Sequence, residues 1–143
     1  MAYKKILPKD IFISYLGREA TEAELWAGAQ NGVIHHKKTG NEFLDYFADL
    51  IRQNMQHGVG FYAKLLGVTT AELTGCMKVL TGIRAETWID DYIWLCVYDV
   101  LLHTDWKIEK VAQKMGYRSI KSFSRSFVER NGLPPTHWRW KQK

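Results

Sequence analysis

Apolar positions recur at helical spacing from residue 41 onward. Phe43, Leu44, Phe47, Leu50 and Ile51 make one broad apolar face behind Asn41, a side chain able to cap the helix, and the pattern ends near Gly58. Residues 61–68 read as a short helix and a turn at Gly67. Thr69 and Thr70 then offer a cap for a helix carrying Leu73, Met77 and Leu80, which stops at Gly82. Residues 85–102 leave little polar surface, with Trp88, Ile89, Tyr92, Leu95 and Val100 spread around the helix. That stretch predicts a mostly buried helix about 27 Å long at 1.5 Å per residue.

The plan of residues 59–82 then repeats. Val111, Ala112 and Met115 form one apolar face, Gly116-Tyr117-Arg118-Ser119 supplies a turn and a capping serine, and Ile120, Phe123 and Phe127 form the next face. Gly132 closes the second copy. Two short helices joined by a glycine-containing turn make a helix-turn-helix, whose second helix suits the major groove of DNA. Residues 1–40 are less legible. The apolar run at 11–16 fits a short strand or the start of a helix, and Thr21 with Glu24 suggests a capped helix to about Gln30. His35 and His36 have no third metal ligand close in sequence, and no metal site is expected there.

Charge sharpens this picture through its distribution. The net charge is only +5, yet residues 107–143 carry +8 and residues 41–106 carry −5. A basic end beside an acidic middle suits a polyanion on one face alone. Hydrophobic residues make up 46% of 143, enough to bury a core. Asp90, Asp91 and Asp99 interrupt the longest candidate membrane span, and no signal peptide is recognisable, so a cytoplasmic protein associated with the nucleoid is expected. Cys76 and Cys96 fit free thiols, with no histidine or cluster of cations adjacent in sequence to activate either. Phosphate loops, HExxH, Gly-x-Ser-x-Gly and paired zinc-ligand spacings are missing, so the sequence argues against an enzyme and for no cofactor.

Ile108, Val111-Ala112, Gly116-Tyr117, Ser119, Phe123, Arg125, Phe127, Gly132, Pro135 and Trp138-Arg139 together carry a family resemblance. Residues 41–140 resemble the DNA-binding domain of the AraC/XylS family of bacterial transcription regulators. Tyr117 stands where the family pattern has Phe, and Trp138 where it has Tyr. The resemblance implies an all-α, homeodomain-like fold with two helix-turn-helix subdomains joined by a long linker helix. Here they fall at about 59–82, 85–103 and 107–132 within a domain spanning 41–143, and residues 1–40 form a short N-terminal extension of unassigned role. Those forty residues are too few for the effector-binding barrel of many relatives, so no small-molecule effector is expected.

The resemblance places Ile120, Lys121 and Arg125 at base-facing positions of the second recognition helix. Arg125 suits bidentate hydrogen bonding to guanine, Lys121 shares its face at i, i+4, and Ile120 suits a thymine methyl. Arg118, Ser119, Ser122, Ser124, Arg139 and Lys78 are candidate phosphate contacts, with helix capping as the other reading of Arg139 and a Glu129 ion pair as the other reading of Arg125. Phe123 and Phe127 are expected in the core, and Trp138 and Trp140 as packing at the C-terminal closure. The first recognition helix instead presents Ala71, Thr74 and Gly75, and Asp90 and Asp91 on the linker should repel phosphates. The expected function is therefore sequence-specific binding of double-stranded DNA, read mainly by the second helix-turn-helix. A non-reading interaction module that kept the fold is the alternative. RNA polymerase and a second copy of the chain are the further candidate partners.

Overall fold

Side-chain caps set where three of the helices begin. Asn41, Thr69 and Ser119 each accept a hydrogen bond from the backbone N–H three residues on, all at 3.0 Å. In the computed structural model residues 6–12, 39 and 41–142 are described, and among them every regular element is an α-helix. The order is α1 (Pro8–Ile11), α2 (Glu42–Asn54), α3 (Val59–Leu66), α4 (Thr70–Thr81), α5 (Ala85–His103), α6 (Ile108–Lys114), α7 (Ile120–Asn131) and α8 (Pro135–Gln142). The expected helix at 21–30, the remainder of the 11–16 run, and His35 and His36 lie outside the described residues.

The helix-turn-helix plan occurs twice with nearly constant spacing. Thr69 and Ser119 cap α4 and α7, Leu73 and Met77 are buried as Phe123 and Phe127 are, and left-handed Gly82 and Gly132 end the helices, each pair fifty positions apart. The correspondence continues into the next helix, where Trp88 of α5 answers to Trp138 of α8. Each unit is thus three helices, and the exit after Gly132 turns into a helix of its own.

The long helix α5 lies between the units and is buried on most sides, as its apolar composition requires. Toward the first unit, Trp88 stacks with Phe47 of α2 at 5.9 Å between ring centroids. Toward the second, Trp94 stacks with Phe123 and meets the edge of Phe127, at 6.4 and 5.5 Å. The N-terminal segment packs on α5 as well. Ile11 is buried, Phe12 meets Tyr92 edge-on, and the Trp88 indole N–H donates to the Ile6 carbonyl at 2.9 Å.

A second connection ties the units together away from α5. At the end of α2, Met55 takes a left-handed φ of 59°, uncommon outside glycine, with its carbonyl accepting from the buried Tyr62 hydroxyl. That turn aims the Gln56 N–H at the Met115 carbonyl in the second unit, 3.0 Å away. Gly116 makes the approach possible. Its φ is 84°, and a Cβ there would lie 3.0 Å from Gln56 N.

Candidate nucleic-acid interface

The second recognition helix separates its faces cleanly. Phe123 and Phe127 are fully buried, while Ile120, Lys121, Ser122 and Arg125 are exposed. Ile120 stands clear of the core at 44% exposure, beside Lys121 at the start of α7. Arg125 lies one turn beyond Lys121 on the same face. Among the described residues, Arg125 and Glu129 form no ion pair, so the guanidinium is directed to solvent.

The remaining candidates divide by what their side chains already hold. Arg118 is exposed in the turn before α7, and Lys78 is exposed on α4. Ser119 is the α7 cap, and the Ser122 hydroxyl donates weakly to the Ser119 carbonyl at 3.3 Å. Ser124 is half-buried. Arg139 faces inward: Nε donates to the Leu101 carbonyl at 3.0 Å and a terminal nitrogen donates to the Trp106 carbonyl. Of the two roles weighed for Arg139, capping the end of α5 is the one this geometry provides. Trp138 packs on Tyr98 and Phe127 as expected, but Trp140 is 78% exposed and does not join that cluster. Residue 140 lies on a helix whose other side is already filled by Trp138.

The face of α4 that answers to Lys121 and Arg125 carries Ala71 and Gly75, both exposed. A Cβ built on Gly75 would meet nothing within 4 Å, so packing does not require a small residue there. Neither side chain offers a hydrogen-bonding group to a base edge.

The acids on α5 are not bare, which the sequence reading missed. Arg130, at the end of α7, reaches Asp90 at 3.1 Å and Asp91 at 3.0 Å, and its guanidinium lies 5.3 Å from the centre of the Trp94 ring. Burial raises the Asp90 carboxyl pKa, and the Arg130 charge opposes the shift. Beside it Tyr98 donates to Asn131 at 2.6 Å, and the Asn131 amide donates to the Phe127 carbonyl at 3.1 Å. The C-terminal end of α7 is thereby held to α5 by charge and by hydrogen bonds.

Cys96 is a buried free thiol, as expected. The buried Arg52 donates to its sulfur at 3.3 Å, a cation brought from 44 positions away by the packing of α2 on α5. Burial still pushes the thiol pKa up, with Arg52 pulling the other way, which disfavours the thiolate a nucleophile needs. No described helix is long and apolar enough to cross a membrane.

Residues 62–141 match the family described as a helix-turn-helix domain. An uncharacterized HTH-type transcriptional regulator of Bacillus subtilis (strain 168), YtdP, is 22% identical over 111 residues; the match takes in 78% of this chain and 12% of that protein's length. Among solved structures, the C-terminal domain of AraT, a response regulator from Geobacillus stearothermophilus, superposes with a TM-score of 0.62 at 20% identity, covering 73% of this chain and 88% of that one. The C-terminal domain of the two-component response regulator yesN from Fusobacterium nucleatum gives 0.61 at 17% identity, with 69% and 99% covered. The DNA-binding domain of AdpA, a global transcriptional factor solved with a target DNA, gives 0.57 at 20% identity, with 70% and 88% covered. At these identities the likeness to solved structures is one of fold.

Proposed function

Because the chain belongs to the AraC/XylS-type helix-turn-helix family, we propose that it regulates transcription by binding double-stranded DNA sequence-specifically, reading the major groove mainly with α7. One observation carries the reading: two helices of matching architecture present opposite chemistry. The face with exposed Lys121 and Arg125 can donate to base edges, and its counterpart with Ala71 and Gly75 cannot. Exposed Ile120 adds an apolar edge suited to a thymine methyl. Arg118, Ser119, Ser122, Ser124 and Lys78 serve the phosphates, which position the helix without specifying sequence. Arg139 supports this surface from within. The reading takes 41–143 as the DNA-binding domain, with residues 6–12 docked on its central helix.

Selection of bound duplexes from a random pool tests the proposal. A single half-site of about 4–6 base pairs is expected, and Arg125→Ala should weaken binding to it by roughly 1–3 kcal/mol while relaxing preference at one base pair. Failure to enrich any sequence, with no affinity for random duplex even at low salt, would favour an interaction module that kept the fold. Two half-sites about a turn apart would mean that α4 also reads, or that two copies bind.

A further inference from the structure

Between the 56–58 loop and the second helix-turn-helix lies a cleft of about 530 Å³, whose lining includes Gln56, His57, Gly58, Arg118, Ser122 and Ser126. None of its described lining residues is acidic. A neighbouring cleft of about 590 Å³ shares Gln56, His57 and Gly58 with it but is walled by Glu86, Asp90 and Asp91, with Arg130 as its one cation among the described residues. Gln56 also lines a third concavity, of about 370 Å³, in which Ser126 stands with Asp90, Glu129 and Arg130, so of the three only the first has no acid in its described lining. On α7, Ser122 and Ser126 are four residues apart and share a stripe about 100° around the helix from Lys121 and Arg125. A helix that points the second stripe at base edges turns the first toward the sugar–phosphate wall of the groove. The exposed His57 stacks flat on Phe61 with 3.8 Å between ring centroids, which fixes its ring at the cleft. Gly58, at the cap position of α3, carries no side chain, so a backbone can come close there.

We propose that this cleft seats the DNA phosphodiester backbone between the 56–58 loop and the second helix-turn-helix, with His57 and Ser126 joining Arg118 and Ser122 as its contacts. The inference rests on the reading of α7 as the groove-entering helix. It adds His57, from the loop that leads into the first unit, to a surface that charge alone would confine to the second. The neighbouring concavities, whose acids outnumber the single Arg130, are less suited to phosphate, and the duplex therefore follows the one without acids.

The test uses the full chain, a random duplex and the selected site, with folding checked by circular dichroism. Ser126→Lys should tighten binding to both duplexes and steepen the salt dependence by about one contact, roughly eight-fold in affinity near 0.1 M salt. Ser126→Asp should weaken both by a similar factor, His57→Ala should weaken both more mildly, and Asp91→Asn should change neither as much as Ser126→Lys. Amide resonances of Gly58, Ser122 and Ser126 should shift with duplex but not with inorganic phosphate at equal phosphate concentration. Unchanged binding in both Ser126 variants, with Arg125→Ala still impaired, would overturn the seat while leaving α7 as the reading helix. If Arg125→Ala were also without effect, the reading of α7 itself would fail. Shifts with inorganic phosphate alone would make the cleft a free-anion site and overturn its assignment to DNA.

Discussion

The guanidinium of Arg130 on α7 lies 3.0 Å from the carboxylate of Asp91 on α5 and 3.1 Å from that of Asp90. All three groups are substantially exposed, so the pairs contribute on the order of 0–1 kcal/mol each to folding. Their larger effect is on the field that a polyanion meets. Arg130→Gln should leave thermal stability nearly unchanged but weaken binding to random duplex at low salt, because two carboxylates lose their counter-charge. Adding Asp90→Asn and Asp91→Asn should restore the binding. If the triple variant bound no better than Arg130→Gln, the loss would come from a contact made by Arg130 itself.

Gly75→Ala isolates what α4 does. Glycine inside a helix costs about 0.5–1 kcal/mol relative to alanine, and the new Cβ meets no atom within 4 Å. The variant should raise the free energy of unfolding by that amount and move the denaturation midpoint up accordingly. Binding to the selected site should be unchanged if the α4 face is silent, and tightened or retargeted binding would show that it approaches DNA.

Gly116→Ala should act in the opposite sense. The position combines a φ of 84° with a Cβ placed 3.0 Å from Gln56 N, so the loss should be about 1–3 kcal/mol. Urea denaturation should show a lower midpoint at unchanged slope. A wild-type midpoint would mean that neither the positive φ nor the Gln56 contact constrains residue 116.

The caps of α4 and α7 should respond differently to acid. Each of Thr69→Ala and Ser119→Ala should cost about 1 kcal/mol near neutral pH. Glu72 completes the α4 cap by accepting from Thr69 N at 3.0 Å, and the hydrogen bonds with Thr69 lower its carboxyl pKa. A lowered folded-state pKa stabilises fully above the carboxyl's ordinary value and is lost as pH falls through the folded one. The Glu72→Ala penalty should therefore shrink in acid, because that substitution removes the carboxylate that accepts from Thr69 N. The Ser119→Ala penalty should not, since Ser122 stands where α4 has Glu72. Equal pH profiles for Glu72→Ala and Ser119→Ala would rule out the ionised Glu72 cap.

Local signals made much of this fold legible. Asn41, Thr69 and Ser119 announce their helices, Gly67, Gly82, Gly116 and Gly132 mark their ends, and the spacing of Phe123 and Phe127 identifies the inward face of α7. What escaped the sequence depends on groups far apart in the chain. Nothing near Arg130 says that it will reach Asp90 and Asp91 forty residues earlier. Arg139 reads as one more cation in a basic tail until Leu101 and Trp106 present their carbonyls to it. His57 sits in a loop with no motif of its own, and it becomes a candidate contact only because Gln56 docks on Met115. Ser126 carried a usable sign, its four-residue spacing from Ser122.

The hydrogen bond from Gln56 to Met115 also has a mechanical side. Together with α5 it gives the two helix-turn-helix units a pair of separated fastenings, so neither can swivel on the other without breaking one. Under the proposed reading such a body acts as a ruler. A duplex held on α7 would meet the 56–58 loop at a fixed spacing and would itself have to twist or bend to fit. Bases touched by no side chain would then acquire a say in affinity through their stiffness.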